Sequence, residues 1–183
     1  YSARFAELGI YVSEEEQVKI LNSIITKDQL NKFKQKTDPI ITKGKIIDVY
    51  DGDTFTVSYF DNYFIKNDKI RLHGVDCPEM KPIKKGTNRT DESIQKEKAI
   101  ALYVKNIIHK MIYDKMVTII IEGKDKYGRL LADVIYEDKK ISEYILDNHY
   151  GYSYGGATKK DFDQLLEEGY YDSVTSQLTF STK

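Results

Sequence analysis

The sequence predicts an α+β fold: an OB-type five-stranded β-barrel with three helices, preceded by an N-terminal helical extension. Three observations predict it. Strand-like segments rich in β-branched and aromatic residues fall at 45–50, 54–59, 69–75, 117–122 and 130–136. A long helical pattern at 92–111 is inserted after the third strand, and two shorter helical patterns follow the fifth. Short strands interrupted in that order suit a small, twisted barrel.

Each element has a local reason. Ser13 with Glu16 reads as a capping box, followed by Val18, Leu21, Ile24 and Ile25 at helical spacing. Thr26 with Gln29 suggests a second cap before Leu30 and Phe33, and the hairpin ends near Thr37-Asp38-Pro39. Residues 1–40 therefore read as a helical extension that packs on the main domain or offers a docking arm to a protein partner. Residues 41–171 hold the barrel domain. Asp51-Gly52 is a hairpin turn between the first two strands. Residues 76–92, rich in Pro, Gly, Lys, Asn and Thr, form a long loop. The helix after it carries Ile100, Val104, Ile107, Ile108 and Met111 on one side. Ser142 is placed to cap a short helix with Tyr144, Ile145 and Leu146, and a last helix spans 159–171. Residues 172–183 are a polar, Ser/Thr-rich tail, in which Val174, Leu178 and Phe180 allow either disorder or a docked edge strand.

Composition excludes several classes. The 183 residues, 40% hydrophobic and 12% aromatic, can bury a core without disulfides or a structural metal. Lysine and arginine number 28 against 29 acidic residues, a net charge of −1, so a protein that coats nucleic acid along its whole surface is ruled out. The single cysteine, Cys77, rules out an intramolecular disulfide and a multi-cysteine zinc site. No apolar run approaches the roughly 20 residues that a bilayer requires, so there is no membrane span. The chain opens on Tyr1 rather than Met, which fits a fragment or a processed product. Only four of the cations are arginines, Arg4, Arg71, Arg89 and Arg129, so each calls for a reason.

Four segments concentrate unusual residues. In Asp51-Gly52-Asp53-Thr54 the turn alone explains the residues, and Phe55 stands where an EF-hand would need an oxygen ligand. The run from Arg71 to Glu79 places an arginine on an apolar strand that ends in Asp76, Cys77, Pro78 and Glu79. A buried arginine needs an anion, which either a structural Arg–Asp pair or a reacting ligand satisfies. Asp125-Lys126-Tyr127-Gly128-Arg129 reads first as a turn between strands, and 150–154 is an aromatic stretch. Taken together, carboxylates, two arginines and a tyrosine gather at the strand ends of one barrel. With one hard cation they form the set that phosphodiester chemistry requires. His73, His109 and His149 lie on or beside regular elements and are read as packing or solvated residues rather than catalytic ones.

These segments, with Lys84-Lys85-Gly86, resemble the staphylococcal nuclease (thermonuclease) family over residues 42–171, in one order and at similar spacing. The resemblance implies an OB-type barrel with three helices and a calcium-dependent nuclease that cleaves DNA or RNA. It implies little sequence specificity and products ending in a 3′-phosphate. It also implies that Asp53 and Asp76 bind Ca2+, with the backbone carbonyl of Cys77, where the family has threonine. Glu79 then acts as general base, Arg71 and Arg129 hold the reacting phosphate, and Tyr127, Tyr152 and Tyr154 form the nucleotide pocket. Lys84 and Lys85 belong to a basic loop beside the site. Family members are often secreted. The alternative is a nuclease-like domain without activity that binds nucleic acid or serves in an assembly. Such relatives typically lose the carboxylates or arginines that this sequence keeps.

Overall fold

Strand β1 (Ile40–Val49) serves two sides of a barrel. Its first half pairs with β5 (Met116–Lys124) and its second half with β2 (Thr54–Asp61), both antiparallel. Gly44 pairs with Tyr59 on one side and Val117 on the other, at the changeover. A Cβ there would lie 2.6 Å from Val57 Cγ2 and 2.7 Å from Ile119 Cδ1, so glycine lets the strand bend over the barrel interior. In this computed structural model the described residues are 39–61, 63–82 and 89–180, with Ser13 and Glu15 ahead of them. The chain divides after Asp38, and the unit that starts at Pro39 is the one described below. The predicted N-terminal helices, and the basic pair Lys84 and Lys85, lie outside the described residues.

The remaining strands complete the barrel. β2 pairs with β3 (Phe64–Leu72), and β5 with β6 (Leu130–Tyr136), in antiparallel register. A parallel seam closes the ring, with Ile70, Arg71 and Leu72 opposite Leu130, Leu131 and Ala132. The five-stranded order β3-β2-β1-β5-β6 is thus the predicted OB-type barrel. Two short strands, β4 (Val75–Asp76) and β8 (Tyr152–Ser153), pair separately, and β7 (Lys139–Lys140) turns back to pair antiparallel with the end of β6. Alternate strand residues fill the interior with Ile46, Phe55, Val57, Ile70, Val117, Ile119 and Val134. Beyond the interior, the β2–β3 hairpin projects with Phe60, Tyr63, Phe64 and Ile65 exposed.

Four helices pack around the barrel among the described residues. Helix α1 (Asp91–Ile112) starts where the Thr90 side chain accepts from the Ser93 N–H, with Asp91 and Glu92 in its first turn. Ile100, Val104, Ile108 and Ile112, at four-residue spacing, form its buried stripe. Helix α2 (Ile141–Asp147) follows β7; Ser142 does not cap it as predicted, because its hydroxyl donates to Asp133 inside the structure (2.9 Å). The predicted 159–171 helix is shorter, α3 (Phe162–Glu167), with Asp161 as N-cap. The chain turns at Gly169, whose φ of 73° suits glycine, into α4 (Asp172–Phe180). The residues after 171 are therefore helical through 180, neither disordered nor an edge strand. Tyr171 and Val174 are buried and Leu178 packs on the same core, a helical spacing that the Ser/Thr content masks. Among the described residues no helix is long and apolar enough to cross a membrane.

The tight fit at Gly44 has a measurable outcome. Gly44→Ala is predicted to lower stability by about 1–3 kcal/mol, because Val57 and Ile119 are both interior and close on two sides. Chemical denaturation read by circular dichroism checks this; an unchanged midpoint would show that the barrel yields there.

Candidate active site

Strand ends and turns on one side of the barrel converge on a cleft of about 700 Å³. The β1–β2 turn brings Asp51 and Asp53, β3 brings Arg71, and the chain after β4 brings Glu79. The β5–β6 turn brings Asp125, Tyr127 and Arg129, and the strap after β8 brings Tyr154 and Lys159. Asp53, Arg71, Glu79, Tyr127, Arg129 and Tyr154, separated widely in sequence, therefore face one space.

Arg71 is the hub of the inner half. Its Nη1 donates to the carbonyls of Leu72 (3.0 Å) and Val75 (2.8 Å) and lies 3.3 Å from Asp53 Oδ2. Its Nη2 donates to Asp76 Oδ1 at 2.6 Å. Among the described residues, these contacts leave the Nε–H and one Nη2 hydrogen of the five guanidinium donors for a ligand. Asp53 Oδ2 also accepts the Cys77 N–H (2.7 Å), and Asp53 Oδ1 accepts the Thr54 hydroxyl (3.1 Å). Asp76 Oδ2 accepts the Tyr152 hydroxyl (2.8 Å). The two carboxylates are thus aimed by main chain and by neutral donors.

The cluster is crowded with negative charge. Burial, then the neighbouring Asp53 and Glu79, raises Asp51 to about 8. Burial also raises Asp53, against the pull of Arg71 and the Cys77 N–H. Cys77 is buried, and burial followed by the Asp53 and Asp51 charges pushes its thiol well up, away from the nucleophilic thiolate. Its sulfur fills a slot left by two glycines: a Cβ on Gly52 or Gly151 would lie 2.8 or 2.9 Å from Sγ.

The outer half is more open. Arg129 Nε donates to Asp125 Oδ2 (2.7 Å), and Asp125 Oδ1 accepts the N–H groups of Tyr127 and Arg129. The Asp125 side chain thus shapes the turn and steadies the arginine together. The Tyr127 ring lies 5.6 Å from the Arg129 guanidinium and is 72% exposed. Tyr154 lines the same cleft, but Tyr152 does not: it is buried and holds Asp76. Its placement corrects the predicted nucleotide-pocket position, because the β4–β8 pairing turns it inward opposite Asp76.

Three features escape the sequence reading. Asp51 looked like a turn residue, yet it is buried in the acidic cluster. Lys159, on an exposed segment without a motif, reaches Asp76 and Glu79. Glu97 on α1 accepts the Glu79 N–H (3.0 Å) and pairs with Arg89 (2.7 Å), which joins the helix to the acidic loop. A third charged group, His73, Glu122 and Asp133, sits on the barrel wall with His73 3.5 Å from Glu122. There Asp133 is already engaged by Lys140 (3.0 Å) and Ser142.

This combination of barrel and acidic, arginine-lined cleft defines the class. Residues 69–170, more than half of the chain, match the family described as Staphylococcal nuclease homologue, and the chain belongs to that family. It is also 27% identical over 110 residues to an uncharacterized endonuclease of Haemophilus influenzae. That match covers 60% of this chain and 51% of the relative, so the chain spans about half the relative's length. Family and relative together support a nuclease-like function.

The crowding predicts a stability gain. Asp51→Asn keeps an acceptor for the Asp53 N–H (3.2 Å) and removes one buried like charge. In EDTA at pH 9 the variant is expected to be more stable by about 1–2 kcal/mol. Urea denaturation checks it, and a less stable variant would show that Asp51 carries no electrostatic cost.

Proposed function

We propose that this chain is a calcium-dependent nuclease that hydrolyses phosphodiester bonds in DNA or RNA with little sequence specificity. The observation that carries the reading is the convergence of Asp53, Glu79, Arg71 and Arg129 on one cleft. Carboxylates beside anion-binding arginines suit a substrate that brings its own negative charge and a cation.

The donor set fits the ion that the family resemblance implies. Asp51, Asp53, Asp76 and Glu79 offer oxygen only, the preference of a hard cation. They outnumber Arg71 and Lys159, and burial first, with the neighbouring carboxylates adding to it, raises Asp51 and Asp53. Asp53 and Asp76 would hold the ion, with the Cys77 carbonyl. When bound, calcium neutralises charge on a phosphoryl oxygen.

The chain's own groups do the rest. Glu79, its side chain 45% exposed at the cleft, takes a proton from the attacking water. The water oxygen bonds to phosphorus, and the 5′-oxygen leaves with the bonding pair and takes a proton from solvent. The new 3′ end carries the phosphate. Arg71 and Arg129 donate to the phosphoryl oxygens as negative charge builds there. Tyr127 and Tyr154 offer ring faces to a base, and stacking accepts any base. Lys81, with Lys84 and Lys85, follows the backbone. Single strands and frayed ends are therefore the preferred substrates.

Retention of Asp53, Arg71, Asp76, Glu79 and Arg129 opposes the alternative of an inactive binding domain. The purified protein is expected to cut single-stranded DNA in Ca2+ and to stop in EDTA. Cleavage that persists in EDTA would overturn the metal requirement, and tight binding without cleavage would favour the inactive domain. Glu79→Gln and Arg129→Lys are each expected to lose on the order of 100- to 1,000-fold in kcat with an unchanged melting temperature. Arg129 is a cleaner probe than Arg71, which also ties two main-chain carbonyls. Near-normal rates in both variants would refute the assigned roles.

A further inference from the structure

The ammonium group of Lys159 lies inside the acidic cluster. Its Nζ is 2.7 Å from Glu79 Oε1 and 2.9 Å from Asp76 Oδ1, so it bridges the proposed base and one proposed metal ligand. The side chain is 49% exposed, whereas that of Asp76 is buried. Burial opposes the charged form of Lys159, but Glu79 and Asp76 outweigh it and raise its pKa.

The segment that carries it is anchored at its ends and open between them. At the near end the Tyr154 N–H donates to the Gly74 carbonyl (2.9 Å). At the far end the Lys160 N–H donates to the Tyr152 hydroxyl (3.0 Å), and Asp161 caps α3. Residues 155–161 are exposed, and a Cβ on Gly155 or Gly156 would meet nothing within 4 Å. Withdrawing the Lys159 side chain therefore disturbs no core packing. Lysine suits such an exchange, since its ammonium is a strongly hydrated point charge on a flexible stem. Arg71 is the opposite case, clamped by two carbonyls and two carboxylates.

We propose that Lys159 is a built-in, exchangeable counter-ion of the metal-free site, and that a divalent cation must displace it from Asp76 and Glu79 to bind. The proposal rests on the reading of this cleft as a cation-dependent nuclease site. Two cations against the same carboxylate oxygens repel each other, so each lowers the affinity of the other. Lys159 steadies the acidic cluster when no metal is present and sets the concentration at which metal enters.

The test compares the full chain, Lys159→Gln and Lys159→Arg in calorimetric titrations with Ca2+ alone. Unfolding is measured in EDTA and in Ca2+ alongside. Lys159→Gln is expected to bind Ca2+ about three- to tenfold more tightly than the parent, the scale of a partly exposed ion pair. It should also melt lower in EDTA and gain more from Ca2+. Lys159→Arg, which keeps the charge, should stay near the parent in both measurements. Calcium uptake by the parent with equal or weaker uptake by Lys159→Gln would overturn this inference alone. No uptake by the parent or by either variant would overturn the cation reading and this inference with it.

Discussion

A guanidinium enclosed with carboxylates holds its place only if something besides the carboxylates fixes it. For Arg71 that is the main chain: the carbonyls of Leu72 and Val75 take both hydrogens of Nη1. With the cation fixed, Asp53 and Asp76 can approach each other across it. Truncating a buried partner of this kind typically costs about 3–5 kcal/mol, because the remaining charges stay buried without compensation. The β1–β2 turn, β3 and β4 are therefore bound together by the same contact that orients the acidic residues.

That contact does not neutralise the cluster, and the excess charge organises what surrounds it. Neutral donors, the Cys77 N–H and the hydroxyls of Thr54 and Tyr152, aim the carboxylates without adding positive charge. Glu97 fixes the main chain of Glu79, and Arg89 balances Glu97. The carboxylates are thus held from behind, and on the open side Lys159 is the partner of Asp76 and Glu79. Such unbalanced buried charge costs stability, and under the proposed function it is what a cation and an anionic substrate would meet.

Much of this was legible in the residues. The barrel strands announced themselves by β-branched content, α1 by its four-residue spacing, and the core of the site by motifs at turns. Asp53, Arg71, Glu79 and Arg129 stood out because charged residues at turns and strand ends are conspicuous beside apolar strands, and the fold brings them to one cleft. The misses have physical causes. Tyr152 and Tyr154 share one motif, and strand alternation would put both on one face, but the strand ends at Ser153, so Tyr152 packs on Asp76 while Tyr154, past the strand end, lines the cleft. Asp51 was hidden because Asp-Gly is ordinary turn chemistry. Lys159 belongs to the site through the reach of its side chain, which leaves no trace in local pattern. Helix α4 was obscured by Ser and Thr, whose weak propensity is overridden by the packing of Val174 and Leu178.

The parallel seam between β3 and β6 is only three residue pairs long, and Arg71 is one of its members. Arg129 stands one residue before the opposite strand begins. The last stitch of the barrel is thus also the step that brings the two guanidinium groups to the same mouth. It joins segments some sixty positions apart, so a large loop-closure entropy stands against this one short pairing. Closing the ring and pairing the two arginines are one and the same juxtaposition.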